Sequence, residues 1–255
     1  MAKFMEDMAE VFANPRYFEE FLLGIWETLY STVIATAAAC ILGLILGVLL
    51  VAGEKNGVRP LPSPIMKLLN FVINVLRSVP FLILMLFVLP LSYLLLGTRI
   101  GTPASIPPLV VAAFPFVARL VETSLRDMDH GVIEAAQAMG CTPFQIIWKV
   151  MLPECLPSLI SGFTTSLITI LSYGAMAGAI GGGGLGRIAI NYGYNRYNYA
   201  VMLIATVLIV ILVILFQTLG SWLANRLDHR STKIKRGKLR VRFNDPIHLE
   251  VGPDE

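Results

Sequence analysis

The residues whose types and spacing could do chemistry are few, and they cluster in one short stretch. Glu134-Ala135-Ala136-Gln137-Ala138-Met139-Gly140, followed by Leu152-Pro153, makes a polar, helix-prone loop between two long hydrophobic segments. A membrane protein that works alone has no use for such a loop; its chemistry is that of contact with a second protein. Nucleotide chemistry is not encoded. A phosphate loop needs G-x4-G-K-[S/T], in which backbone N–H groups cradle the phosphates and a Lys follows. The only Gly-Lys pair, Gly237-Lys238, is followed by Leu239, and the run Gly181-Gly182-Gly183-Gly184-x-Gly186 has no Lys. Cys40, Cys141 and Cys155 are an odd count without CxxC, so no disulfide framework is suggested and reduced thiols are expected. His130, His229 and His248 are scattered and form no metal-ligand set. No catalytic residue and no metal ligand is expected, and energy must come from a partner.

The elements that position this loop are membrane spans. The 255 residues are 56% apolar and 15% charged, against about 45–50% and about 25% in soluble domains. Charge-free runs cover Thr28–Gly53, Ser78–Thr98, Ile100–Ala118, Cys155–Gly186 and Tyr197–Asn225. A spanning helix needs about 20 mostly apolar residues, so five transmembrane helices are predicted in an all-α integral membrane fold. The first is not a signal peptide, because Glu6, Asp7, Glu10, Glu19 and Glu20 precede it where a basic region belongs. Lys and Arg set the orientation. With the N-terminus outside, the outer segments hold five of the twenty (Lys3, Arg16, Arg99, Arg187, Arg196), and the inner segments hold fifteen. The N-terminus is therefore expected outside, the C-terminus in the cytoplasm, and the Glu134 loop in the cytoplasm.

Local signals give the loop, residues 127–154, a defined shape. Asp129 can cap a short helix over 131–139, and Gly140 can end it in the left-handed conformation. Thr142 can cap a second helix, with Pro143 at its first position and Gln145 three residues after the cap. Pro153 and Pro157 mark the entry to span four. The prediction is two short helices joined at a Gly-Cys-Thr-Pro elbow, a rigid lever.

The spacing E-A-A-x3-G-x9-V-x-L-P resembles the EAA loop of binding-protein-dependent ABC permeases, with Val150 where that family usually has Ile. The resemblance implies that Glu134 sits at the interface with a separate ATPase, that Ala135 and Ala136 allow close approach, that Gly140 permits the turn, and that Pro143 opens the second arm. Arg77-Ser78-Val79-Pro80-Phe81, Phe114-Pro115-Phe116-Val117-Ala118-Arg119, Ser172-Tyr173-Gly174-Ala175-Met176 and Asn191-Tyr192-Gly193-Tyr194 together look like the methionine-uptake permeases of ABC importers, over roughly residues 20–226. That resemblance implies a type I importer permease fold in a prokaryotic inner membrane. It also implies a homodimer, two ATPase subunits that bind the ATP and Mg, and an extracytoplasmic methionine-binding lipoprotein. Ser172, Tyr173 and Met176 would line the translocation path, Met176 as its gate. Nucleic acid is not an expected partner. The alternatives are an ABC permease for another small solute, or a stand-alone secondary transporter that needs no ATPase.

Other features stay open at this level. Arg77 either lines the path or marks the inner end of span two and reaches the headgroups. Arg119 and Glu122 can pair on one helix face. Small residues at Ala35, Ala39, Gly43 and Gly47, and at Gly174, Gly178 and Gly182, suit close packing within one chain or between copies. Residues 1–20 are expected to form an extracytoplasmic amphipathic segment. Residues 227–255 are expected to form a basic cytoplasmic tail with a β-hairpin pattern around Asn244-Asp245-Pro246.

Overall fold

A chain crossing a bilayer must satisfy its backbone polar groups internally, and a helix does so within one segment. The computed structural model describes residues 8, 9, 11, 13–55 and 57–227, and among them the regular structure is helical throughout. The predicted tail hairpin and most of the amphipathic face over 3–12 lie outside the described residues.

Helix α1 runs Pro15–Ala52. Asn14 caps it by accepting the Arg16 N–H, and Pro15 takes the first position, where a missing N–H costs nothing. Its 38 residues reach about 57 Å, roughly twice the hydrocarbon thickness. Residues 15–20, assigned from sequence to the N-terminal segment, therefore belong to the same helix as the first span. Three more helices are long and apolar enough to cross: α4 (Thr102–Arg126), α8 (Leu156–Ala177) and α10 (Tyr199–Leu227).

The second predicted span departs from expectation. The helix expected over 78–98 is α3 (Phe81–Leu96), but a further helix, α2 (Ser63–Ser78), meets it at a bend of 112°. Pro80 is the cause. It has no N–H to continue α2, and it forces Val79 into extended backbone, ψ 128°. Among the described residues four continuous helices are long and apolar enough to cross, and five spans result when the bent pair counts as one.

Contacts order the bundle. Gly43 lies against Val117 and Gly47 against Val121, so α1 and α4 run in the same direction. A Cβ at Gly43 or Gly47 would sit 2.5 Å from the facing valine Cβ. These small residues, with fully buried Ala35 and Ala39, bring two helices of one chain together. Helix α8 runs the opposite way, with Ser158 bonded to Ser124 at 2.9 Å and Gly162 against Leu120. One end of the bundle thus holds Ala52, Arg126 and Leu156 beside the Glu134 loop; the other holds Glu27, Thr102 and Ala177.

At the Glu134 end a buried carboxylate ties three elements. Glu122 is 7% exposed. It accepts from Arg119 Nη1 at 2.6 Å and from Arg126 Nη2 at 2.7 Å. Arg126 also pairs with Glu54 beyond α1, and Arg119 Nη2 donates to Asn70 and Asn74 of α2 at 2.8 and 2.9 Å. The predicted Arg119–Glu122 pair is the centre of a larger network.

Candidate functional site

The Glu134 loop is built from local caps and anchored by apolar side chains. Asp129 accepts the Gly131 N–H at 2.9 Å and opens α5, His130–Ala138. Gly140 follows with φ 74°, a conformation that costs a residue with a Cβ, and the Cys141 N–H closes back on the Ala136 carbonyl. The Thr142 hydroxyl accepts the Gln145 N–H at 3.4 Å, and the Gln145 side chain accepts the Thr142 N–H at 2.9 Å. This reciprocal box opens α6, Pro143–Gln145. The elbow is as predicted, but its second arm is not a plain α-helix. It widens into a π-helical stretch, Ile146–Met151, before α7, Leu152–Glu154. Pro153 explains this: with no N–H it cannot serve the Lys149 carbonyl, and the Leu152 N–H reaches Ile147 instead.

Three side chains fix this loop to the bundle. Ala136, Ile146 and Met151 are buried with Leu125 and Met128 at the end of α4. Ala136 therefore faces its own core, not an outside surface, because neighbouring helical positions point about 100° apart. Glu134, Ala135, Gly140 and Pro143 are exposed. So are three large apolar residues the sequence reading did not single out: Met139 (76%), Phe144 (69%) and Trp148 (57%). Phe144 and Trp148 pair with ring centroids 6.0 Å apart. Their signal in the sequence is two aromatics four apart in a stretch too polar to be a span.

The other sequence candidates lie on α8. Ser161, Thr165, Ser172 and Met176 are exposed and Thr169 is half-buried; the spacing puts all five on one face. Thr165, Thr169 and Ser172 donate to the carbonyls of Ser161, Thr165 and Ile168 at 3.0, 2.9 and 3.1 Å. Thr165, Thr169 and Ser172 thus spend their donors within the helix, while their oxygens can still accept. Ser172 and Met176 are one turn apart on this face. Tyr173 turns aside and stacks on Phe81, with centroids 4.3 Å apart and planes 7° from parallel. That stack sits at the break in the second span, beside Arg77. Ala112 and Phe116, near the middle of α4, line the same space. Arg77 is exposed in the single chain and lines this space beside the last residues of the charge-free run of α4, which ends at Ala118, so both of its alternatives, path and headgroups, stand.

The Gly-rich segment closes the opposite end. The Glu27 carboxylate accepts the Gly184 N–H at 2.6 Å, and the Thr28 hydroxyl accepts the Leu185 N–H at 2.9 Å. These bonds seat α9, Gly184–Ile188, against α1. Nearby, Tyr192 donates to Glu20 at 3.0 Å, and the Arg196 guanidinium lies 4.7 Å from the Tyr192 ring centre. The hydrogen bond to Glu20, and then burial, push the Tyr192 phenol above its ordinary value, so it remains a donor.

A helical bundle with a broken span, a polar face on α8 and a loop bearing exposed aromatics fits a membrane component that meets a second protein. The chain belongs to the binding-protein-dependent transport system inner membrane component family, whose pattern matches residues 57–233. It is 47% identical over 209 residues to the probable D-methionine transport system permease protein MetI of Vibrio cholerae, covering 82% of this chain and 92% of that one. It is also 47% identical over 159 residues to the methionine import system permease protein MetP of Bacillus subtilis, covering 62% and 72%. Among solved structures it resembles a chain of an inward-facing MetNI methionine ABC transporter, with TM-score 0.79, 42% identity, and 81% of this chain and 95% of that one covered. The fold is the permease fold of that transporter.

Proposed function

We propose that this chain is the membrane-spanning subunit of an ATP-driven methionine importer, working as a homodimer with two ATPase subunits and an extracytoplasmic methionine-binding lipoprotein. ATP and Mg bind the ATPase subunits, and this chain catalyses no reaction. The N-terminus is outside and the Glu134 loop is cytoplasmic, in line with the Lys and Arg distribution. The observation that carries the reading is the loop. Its buried Ala136, Ile146 and Met151 make it one body with α4, while Glu134, Met139, Phe144 and Trp148 face away from the bundle. A push on that face moves the spans without first bending the loop. Methionine is supported by relatives of 47% identity that bear its name. The polar face of α8 lines the path, with Ser172 along it, Tyr173 beside it at the break in the second span, and Met176, apolar and adaptable, as the gate.

The test is affinity purification of the chain from its native membrane in mild detergent, with mass spectrometry of what accompanies it, beside Glu134→Arg. An ATPase subunit recovered with the wild type and lost with the variant supports the reading. Recovery of the chain alone, active in proteoliposomes without ATP, contradicts it.

A further inference from the structure

Arg77 sits where a charge needs a reason. Ala112 and Phe116, which line its surroundings, belong to the charge-free part of α4, which ends at Ala118. A guanidinium beside such a stretch is costly unless it faces protein, a water-filled path or the headgroups. The neighbouring arginines are occupied: Arg119 holds Glu122, and Arg126 holds Glu122 and Glu54. Among the described residues Arg77 makes no ion pair and no side-chain hydrogen bond. It instead lines a cavity of about 180 Å³ walled by Phe81, Phe116 and Tyr173.

This cavity joins two chemistries. The guanidinium is a permanent charge whose planar fork matches a carboxylate. The stacked Phe81–Tyr173 pair presents an apolar wall on which a thioether packs favourably. Helix α3 opens at Phe81 with no side-chain cap at Pro80, so its positive end adds to the field of Arg77. No carboxylate lines the cavity. A zwitterion held there is gripped at one end only, as suits a site that must release what it binds.

We propose that this cavity is a waypoint for the carboxylate of the transported α-amino acid. Arg77 takes the carboxylate, and Phe81 with Tyr173 takes the side chain. The inference rests on the reading of the chain as a methionine permease. It places a specificity element within the membrane, at the break in the second span.

The test uses the full complex of permease, ATPase and binding protein in proteoliposomes, with radiolabelled methionine uptake and ATP hydrolysis followed together. Arg77→Gln is expected to lower methionine moved per ATP by about tenfold or more, the loss of one charge-assisted contact, with binding-protein-stimulated hydrolysis retained. Arg77→Lys, which keeps the charge, is expected to lose less. A diazirine analogue of methionine, photoactivated during turnover, is expected to label the peptide bearing Phe81 or Tyr173 in the wild type and not in Arg77→Gln. Wild-type uptake per ATP in Arg77→Gln overturns the proposal. So does loss of stimulated hydrolysis in both variants with no labelling of the wild type, which marks a structural role. A wild-type complex that hydrolyses ATP yet moves no methionine overturns the functional reading and the waypoint together.

Discussion

Glu122 shows how much a single residue holds. Removing it leaves Arg119 with Asn70 and Asn74 and half-exposed Arg126 with Glu54, so the cost is that of lost charge-assisted bonds, about 1–3 kcal/mol. Glu122→Ala is therefore expected to lower the thermal unfolding midpoint of the detergent-purified protein clearly. Glu134→Ala, at an exposed position, is expected to leave it unchanged. Gly47 makes a second residue-scale case. A Cβ there would meet Val121 at 2.5 Å and the Ala118 carbonyl oxygen at 2.7 Å, so Gly47→Val overpacks a helix contact at about 1–3 kcal/mol. The same melting measurement checks it, and an unchanged midpoint would mean that α1 and α4 do not meet as described. At this scale the sequence was legible where chemistry is local. The caps at Asp129 and Thr142 and the turn at Gly140 depend on residues within a few positions of one another. The inward aspect of Ala136 depends on the end of α4, which no local pattern records.

In the proposed reading the Glu134 loop and the broken span are the elements that carry function. Phe144 and Trp148 are solvent-facing in the single chain, so their truncation removes little that holds the fold. If they anchor the ATPase, Phe144→Ala with Trp148→Ala is expected to weaken ATPase capture by about 2 kcal/mol or more, roughly 30-fold, with the melting temperature unchanged. Titration of the immobilised chain with purified ATPase reads this directly, and wild-type affinity would remove the aromatic pair from the interface. The break in the second span was not legible from charge-free runs. Arg77 precedes the charge-free run that starts at Ser78, and α2 buries only Ile73 in this chain, so α2 reads as a connection. Pro80 was visible as a breaker, but the angle of the bend depends on how α2 packs on α4. The Arg119 bonds to Asn70 and Asn74 fix that packing. The π-helical arm was missed because its cause, Pro153, was read only as the entry to a span.

At the scale of the whole molecule the class of protein was legible because two signatures, the apolar blocks and the EAA spacing, are independent. Blocks of apolar residues give the spans and the EAA spacing gives the loop; the Lys and Arg asymmetry predicts an orientation. What the single chain does not contain is its counterpart. Large apolar side chains such as Phe87, Leu94 and Ile214 are exposed, toward lipid or a second copy. Native mass spectrometry of the purified complex is expected to give two permease and two ATPase subunits, and a one-to-one complex would contradict the dimer. In the proposed reading the ATPase shifts an inward–outward equilibrium through its differential affinity for the two states, so import is expected to follow the ATPase cycle. The most direct test is radiolabelled methionine uptake into proteoliposomes carrying this chain with its ATPase and binding protein. The account expects uptake only when ATP, ATPase and binding protein are all present, and none from the chain alone. Methionine entry through the chain alone, without ATP, would contradict it.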